Sequence, residues 1–95
     1  MRTSIEPAAL AEISEAYDWY EKQRAGYGER FVTAVDAALA RIQNNPELYA
    51  VAHNGLRRVL LGRFPYFLAY RVQGGLIVVV ACMHARRDPN RWMFR

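Results

Sequence analysis

The chain has 95 residues, 53% hydrophobic and 23% charged, with a formal net charge of +4 and one cysteine, Cys82. That is one domain, 1–95, large enough to bury a core without cross-links, and its composition is that of a folded rather than a disordered chain. One cysteine excludes an intramolecular disulfide, a cysteine metal cluster and CxxC chemistry, and no apolar run nears the roughly 20 residues that span a bilayer. Met1–Pro7 carries no apolar h-region, so no signal peptide and a cytoplasmic location are expected.

Arg2–Ile5 can add a short edge strand. Pro7 suits the first position of a helix, where its missing N–H costs nothing. Leu10, Ile13, Tyr17 and Tyr20 then recur at helical spacing, widened by Ala9 and Ala16, with Glu12, Glu15, Asp18, Glu21 and Lys22 on the other side. The pattern stops near Arg24–Gly28. Phe31, Val35, Ala38, Leu39 and Ile42 mark a second helix, ended by Asn44-Asn45-Pro46 because the residue before proline disfavours helical geometry. The short connection implies an antiparallel helical hairpin. Residues 47–55 read as a loop.

After the loop the period changes to two. Leu56–Leu61, Phe64–Val72 and Leu76–Met83 read as strands, and Gln73-Gly74-Gly75 as a type I′ hairpin turn. Residues 85–95 form a basic C-terminal tail. The expected fold is α+β, a helical hairpin packed on a small antiparallel sheet in the order (β)ααβββ.

Pairing outward from Gly74-Gly75 sets Tyr66 against Met83, Leu68 against Ala81 and Tyr70 against Val79. The other face then carries Phe67 against Cys82, Ala69 against Val80 and Arg71 against Val78, with Pro65 opposite His84. A tight turn at Gly62-Arg63 adds Arg58 to the face of Arg71, Phe67 and His84, and Arg57 to that of Tyr66 and Leu68. The face with Arg58, Arg71 and His84 is the more polar and is expected to point away from the helices. A one-residue slip in the first hairpin exchanges Arg57 and Arg58.

The charge is unevenly placed. Residues 1–47 carry −3 and residues 48–95 carry +7, all of the latter's basic residues being arginine. Guanidinium is a planar forked donor for phosphate and carboxylate, so an arginine-only half points to RNA, DNA or an acidic protein segment as partner. Met83-His84-Ala85-Arg86-Arg87-Asp88-Pro89-Asn90-Arg91-Trp92 places an imidazole, three guanidiniums and an indole at one end of a sheet, parts that can hold a phosphate backbone and stack on a base. His84 has the titration range of a general acid or base. The plainer alternative has His84 capping its strand, Arg87 paired with Asp88 and Trp92 covering the sheet edge. The candidate target- or partner-binding residues are Arg58, Arg71, Arg86, Arg87, Arg91 and Trp92. His53 and His84 are far apart in the chain and no metal-binding helix motif occurs, so neither a metal nor a cofactor is expected.

An ordered set of motifs resembles the RelE/ParE superfamily of small bacterial toxins from type II toxin–antitoxin modules. It comprises Ala16-Tyr17-Asp18-Trp19-Tyr20, Gly28-Glu29-Arg30-Phe31, Asn45-Pro46-Glu47, Leu56-Arg57-Arg58, Arg63-Phe64-Pro65-Tyr66 followed by Tyr70, and His84-Ala85-Arg86-Arg87-Asp88-Pro89. The resemblance implies the same fold and a cognate antitoxin that wraps the toxin with acidic, amphipathic segments. RelE-like members cleave mRNA in the ribosomal A site, whereas ParE-like members poison DNA gyrase and break no bond themselves. If this chain is an endoribonuclease, the resemblance makes His84 the proton-transfer group, with Arg58, Arg71 or Arg87 holding the phosphate and Glu47 a distant candidate base. The lysines of RelE-like enzymes are absent, as is the C-terminal His-Tyr of YoeB-like nucleases. Arg-Phe-Pro-Tyr and His-x-Arg-Arg-Asp-Pro look closer to the ParE and plasmid-stabilisation branch. The expectation is therefore a toxin acting on a protein such as gyrase, with a ribosome-dependent endoribonuclease and an inactive basic binding module as alternatives.

Overall fold

A computed structural model of the chain describes residues 1–86, the side chain of His53 excepted. Arg87, Arg91 and Trp92, all named above, lie outside the described residues. The elements run β1 (Arg2–Ile5), α1 (Pro7–Gln23), α2 (Tyr27–Asn44), β2 (Val51–His53), β3 (Leu56–Leu60), β4 (Tyr66–Gln73) and β5 (Leu76–His84).

Helix α1 opens at Pro7 after an extended Glu6. Ala9 and Ala16 are buried, with Ile13 and Tyr20 partly so. Leu10, placed on this stripe by spacing, is instead 52% exposed, as is Trp19 at 56%; Ala9 takes the core position one residue earlier. Helix α2 buries Gly28, Phe31, Val35, Ala38 and Ile42, a clean helical stripe, and stops at Asn45 before Pro46. At the hairpin, the Glu21 carboxylate accepts the N–H of Gly26 at 3.1 Å and of Gly28 at 3.0 Å. Those amides begin α2 and lack carbonyl partners within the helix.

The sheet is five-stranded, in the order β1-β5-β4-β3-β2. β1 runs parallel to β5, and the other pairs are antiparallel. The edge strand thus makes the sheet mixed rather than purely antiparallel, because the helical hairpin carries the chain from β1 across the layer before the meander begins. β2 forms within the stretch read as a loop. It turns back on β3 through Asn54 and Gly55, both at positive φ (50° and 74°). Asn-Gly is a strong hairpin signal, and here it was present in the sequence.

The Gly74-Gly75 turn has positive φ at both residues, as a type I′ turn requires. From it the expected register holds as far as Tyr70 opposite Val79. There a bulge intervenes: Ala69 faces Ala81, Leu68 faces Cys82, Phe67 faces Met83 and Tyr66 faces His84. Val80 is the extra residue, and it lies with Ala81 on the same face. The pairings drawn beyond this point in the sequence reading are therefore off by one.

The helix-facing core joins Phe31, Val35, Ile42, Val59, Leu68, Tyr70 and Val79. Tyr20, Phe31, Phe64 and Tyr66 interlock at its end, with Tyr20–Phe64 centroids at 4.8 Å and Phe31–Tyr66 at 5.1 Å. On the opposite face Leu56, Phe67, Ala69, Val80, Ala81 and Met83 form a second apolar cluster drawn from β3, β4 and β5. Two polar ties hold the segment after α2. The buried Tyr70 hydroxyl donates to the Pro46 carbonyl at 2.6 Å, and Arg57 donates to the Tyr49 carbonyl at 2.6 Å.

Candidate functional site

Arg57 and Arg58 are neighbours on a strand and so point to opposite faces. Arg57 pairs opposite Tyr70 on the helix side, where its guanidinium braces residues 47–49. Arg58 is opposite Ala69 on the outer face, its guanidinium 4.4 Å from the Phe67 ring centroid. Arg71 shares that outer face. It contacts Glu6 at 3.2 Å and the Gln73 side chain at 3.0 Å. The outer-face placement expected for Arg58 and Arg71 is thus observed.

His84 is not with them. The bulge at Val80 moves Cys82 and His84 to the helix side, so the expected cluster of Arg58, Arg71 and His84 on one face does not form. The half-buried His84 ring lies 5.3 Å from Tyr66, edge to face. Its Nδ1 accepts the Arg86 backbone N–H at 3.1 Å, which makes the imidazole a cap on the end of β5. Around it is a groove of about 720 Å³ whose lining includes Glu12, Glu15, Trp19, Tyr20 and Tyr66. β1 ends opposite Val79, and three residues further along β5 a Glu12 oxygen accepts the Cys82 N–H at 3.0 Å, in the place a neighbouring strand would occupy. Burial, and secondarily the Glu12 carboxylate, pushes the Cys82 thiol up to about 12, so it is an inert packing group. Arg86 is exposed in the turn after β5.

A second groove, of about 660 Å³, lies between α2 and the β3–β4 connection. Arg30, Arg41 and Arg63 line it, together with Ala34, Ala37 and Phe64. Arg30 and Arg63 stand in the family motifs, but the sequence assigns none of the three a binding role, because they belong to separate elements. The signal available was the helical spacing of Arg30, Ala34, Ala37 and Arg41. Among the described residues no group of three or more His, Cys, Asp and Glu side chains is placed to hold a metal ion, and no helix is long and apolar enough to cross a membrane.

The architecture and motif order match known proteins. A family model described as ParE toxin of type II toxin-antitoxin system, parDE, matches residues 4–89. Two curated relatives, each called Toxin ParE2, come from Mycobacterium tuberculosis strains CDC 1551 / Oshkosh and ATCC 25618 / H37Rv. Each is 29% identical over 80 residues, covering 83% of this chain and 76% of the relative. A solved structure titled "Chromosomal ParDE TA system from P. aeruginosa" superposes with a TM-score of 0.67 at 20% identity, over 88% of this chain and 95% of that one. The fold is therefore shared with that structure, and the chain belongs to the ParE toxin family of type II toxin–antitoxin systems.

Proposed function

We propose that this toxin arrests growth by binding a protein target, DNA gyrase, in the cytoplasm without breaking a bond, and that a cognate antitoxin neutralises it. The observation that supports binding over cleavage is the division of the candidate groups. RNA cleavage needs a proton-transfer group beside cations that hold the scissile phosphate. His84 instead shares its groove with the carboxylates of Glu12 and Glu15, which repel a phosphate. Arg58 and Arg71 occupy the other face of the sheet, and Arg71 is paired with Glu6. Arginines flanking an apolar sheet face suit a protein surface better than a reacting phosphodiester.

The test is pulse labelling after induction in bacteria lacking the antitoxin. Thymidine incorporation is expected to fall within minutes, before methionine incorporation changes, and purified toxin is expected to block supercoiling by gyrase. A collapse of methionine incorporation first, with mRNA cut at ribosomes, would establish the endoribonuclease reading in its place. Normal growth with both syntheses intact would leave an inactive binding module.

A further inference from the structure

The groove beside His84 has a lining that the proposed target does not explain. Two carboxylates, Glu12 and Glu15, stand three residues apart on one face of α1 and line it together. No lysine or arginine is among the described residues that line it, although the whole chain carries +4. Glu12 is fixed in place by the N–H it accepts from Cys82 at 3.0 Å. Glu15 is exposed, and among the described residues no cation is paired with it. The groove is thus an anionic site in a cationic protein.

Its rings are the second feature. Trp19 and Tyr20 meet at 5.0 Å with their planes at 89°, Tyr20 and Tyr66 at 6.1 Å and 64°, and Tyr66 and His84 at 5.3 Å and 70°. Each ring is turned steeply against the next, so the four wall one space from several directions. Tyr20 is backed by Phe31 at 5.5 Å and Phe64 at 4.8 Å, which holds that wall in place. Trp19 instead leaves its indole 56% exposed. A large aromatic side chain left in water adds little to folding, whereas an indole face is the best side-chain receptor for a cation. His84 Nδ1 accepts the Arg86 N–H, so that nitrogen carries no proton and the imidazole brings no positive charge to the groove.

We propose that this groove binds a linear aliphatic amine, its ammonium groups held by Glu12, Glu15 and the face of Trp19, and its methylene chain laid on Ala16, Pro65 and Met83. The proposal does not depend on the toxin reading. Ammonium groups separated by methylenes match a lining in which carboxylates and rings alternate with apolar side chains. A nucleotide could stack on the same rings, but Glu12 and Glu15 repel its phosphate. An uncharged apolar ligand would strip water from the carboxylates without replacing it. A metal ion is not served, since among the described residues no group of three or more ligating side chains is assembled. A free polyamine and the lysine side chain of a protein both carry the required chemistry.

The test is calorimetric titration of spermidine into the full-length chain, with the site located by amide and indole N–H chemical shifts. Saturable binding is expected, with the largest shifts at Glu15 and at the Trp19 indole. Glu15→Gln and Trp19→Ala are each expected to weaken binding about fivefold or more. Asp18→Asn removes the same charge from the same helix outside the groove, and is expected to leave binding unchanged. Glu15 and Asp18 are both exposed, so neither change is expected to move the thermal midpoint of the free protein, which separates lost binding from lost folding. Nα-acetyl-lysine methylamide distinguishes the two sources. Weaker binding than spermidine assigns the groove to a free polyamine, tighter binding assigns it to a protein's lysine, and either order supports the cation site. No saturable binding, an equal loss in Asp18→Asn and Glu15→Gln, or shifts centred away from α1 and β5 overturns the proposal. So does tighter binding of adenosine monophosphate than of spermidine.

Discussion

Gly28→Ala tests why the helical hairpin closes as it does. Gly28 is buried in the first turn of α2, and a Cβ there would meet the Tyr17 ring at 2.7 and 2.9 Å and Glu21 Oε1 at 3.0 Å. The carboxylate is the end of a flexible chain and can give way. The ring is held by its packing and by the Tyr17 hydroxyl, which donates to Glu29 at 3.3 Å. Overpacking costs about 1–3 kcal/mol, and contacts under 3.0 Å with a ring put this site in the upper part of that range, at about 2–3 kcal/mol. Replacing glycine with alanine inside a helix returns about 1 kcal/mol. The net expectation is a loss of roughly 1–2 kcal/mol, which lowers the midpoint of a domain this size by about 5–10 °C. Urea unfolding followed by circular dichroism measures it directly. On a Tyr17→Ala background the clash is gone, so Gly28→Ala should become stabilising by about 0.5–1 kcal/mol. If Gly28→Ala is neutral in the native sequence, or equally destabilising on both backgrounds, the close approach of ring and glycine is not what sets the hairpin.

The remaining predictions concern the Cys82 thiol, the Tyr70 hydroxyl and the Arg71–Glu6 pair. Burial raises the Cys82 thiol to about 12 from an ordinary value near 9, so the fold binds a proton that the unfolded chain releases. Stability is therefore fully present below pH 9 and falls by up to about 1.4 kcal/mol per pH unit above it; unfolding at pH 8 and 9.8 should reveal the loss, and Cys82→Ala should flatten it. Tyr70→Phe removes the 2.6 Å bond to the Pro46 carbonyl and should cost about 1–1.5 kcal/mol, with amide exchange accelerated in residues 47–50. The Arg71–Glu6 pair is about one-third exposed on each side, so Arg71→Ala should shift urea stability by under ~0.5 kcal/mol. An effect of Arg71→Ala on gyrase inhibition would then report target contact rather than folding.

The outer-face position of Arg58 and Arg71 was legible because each lies within an alternating strand whose register its own turn sets. His84 was misplaced for one reason: the bulge at Val80 inserts a residue between the Gly74-Gly75 turn and the end of β5, and Val78-Val79-Val80 offers no local signal for it. Every side chain beyond that point changes face. Asn54-Gly55 marks the β2 hairpin in the sequence, but β2 is three residues long and pairs irregularly, too short to show an alternating pattern. The groove of Arg30, Arg41 and Arg63 was not legible, since no local pattern links a helix face to a turn more than twenty residues later.

The helices, their ends, the Gly74-Gly75 turn and the two-layer architecture follow from sequence alone, because periodicity, proline and positive-φ glycines act over a few residues. Motif order likewise identifies the family without coordinates. The parallel pairing of β1 with β5, the bulge and the separation of His84 from the arginines were settled only by the tertiary structure. These features depend on which backbone groups meet across the sheet, and the free energy that selects them is the simultaneous burial of both faces rather than the preference of any one segment.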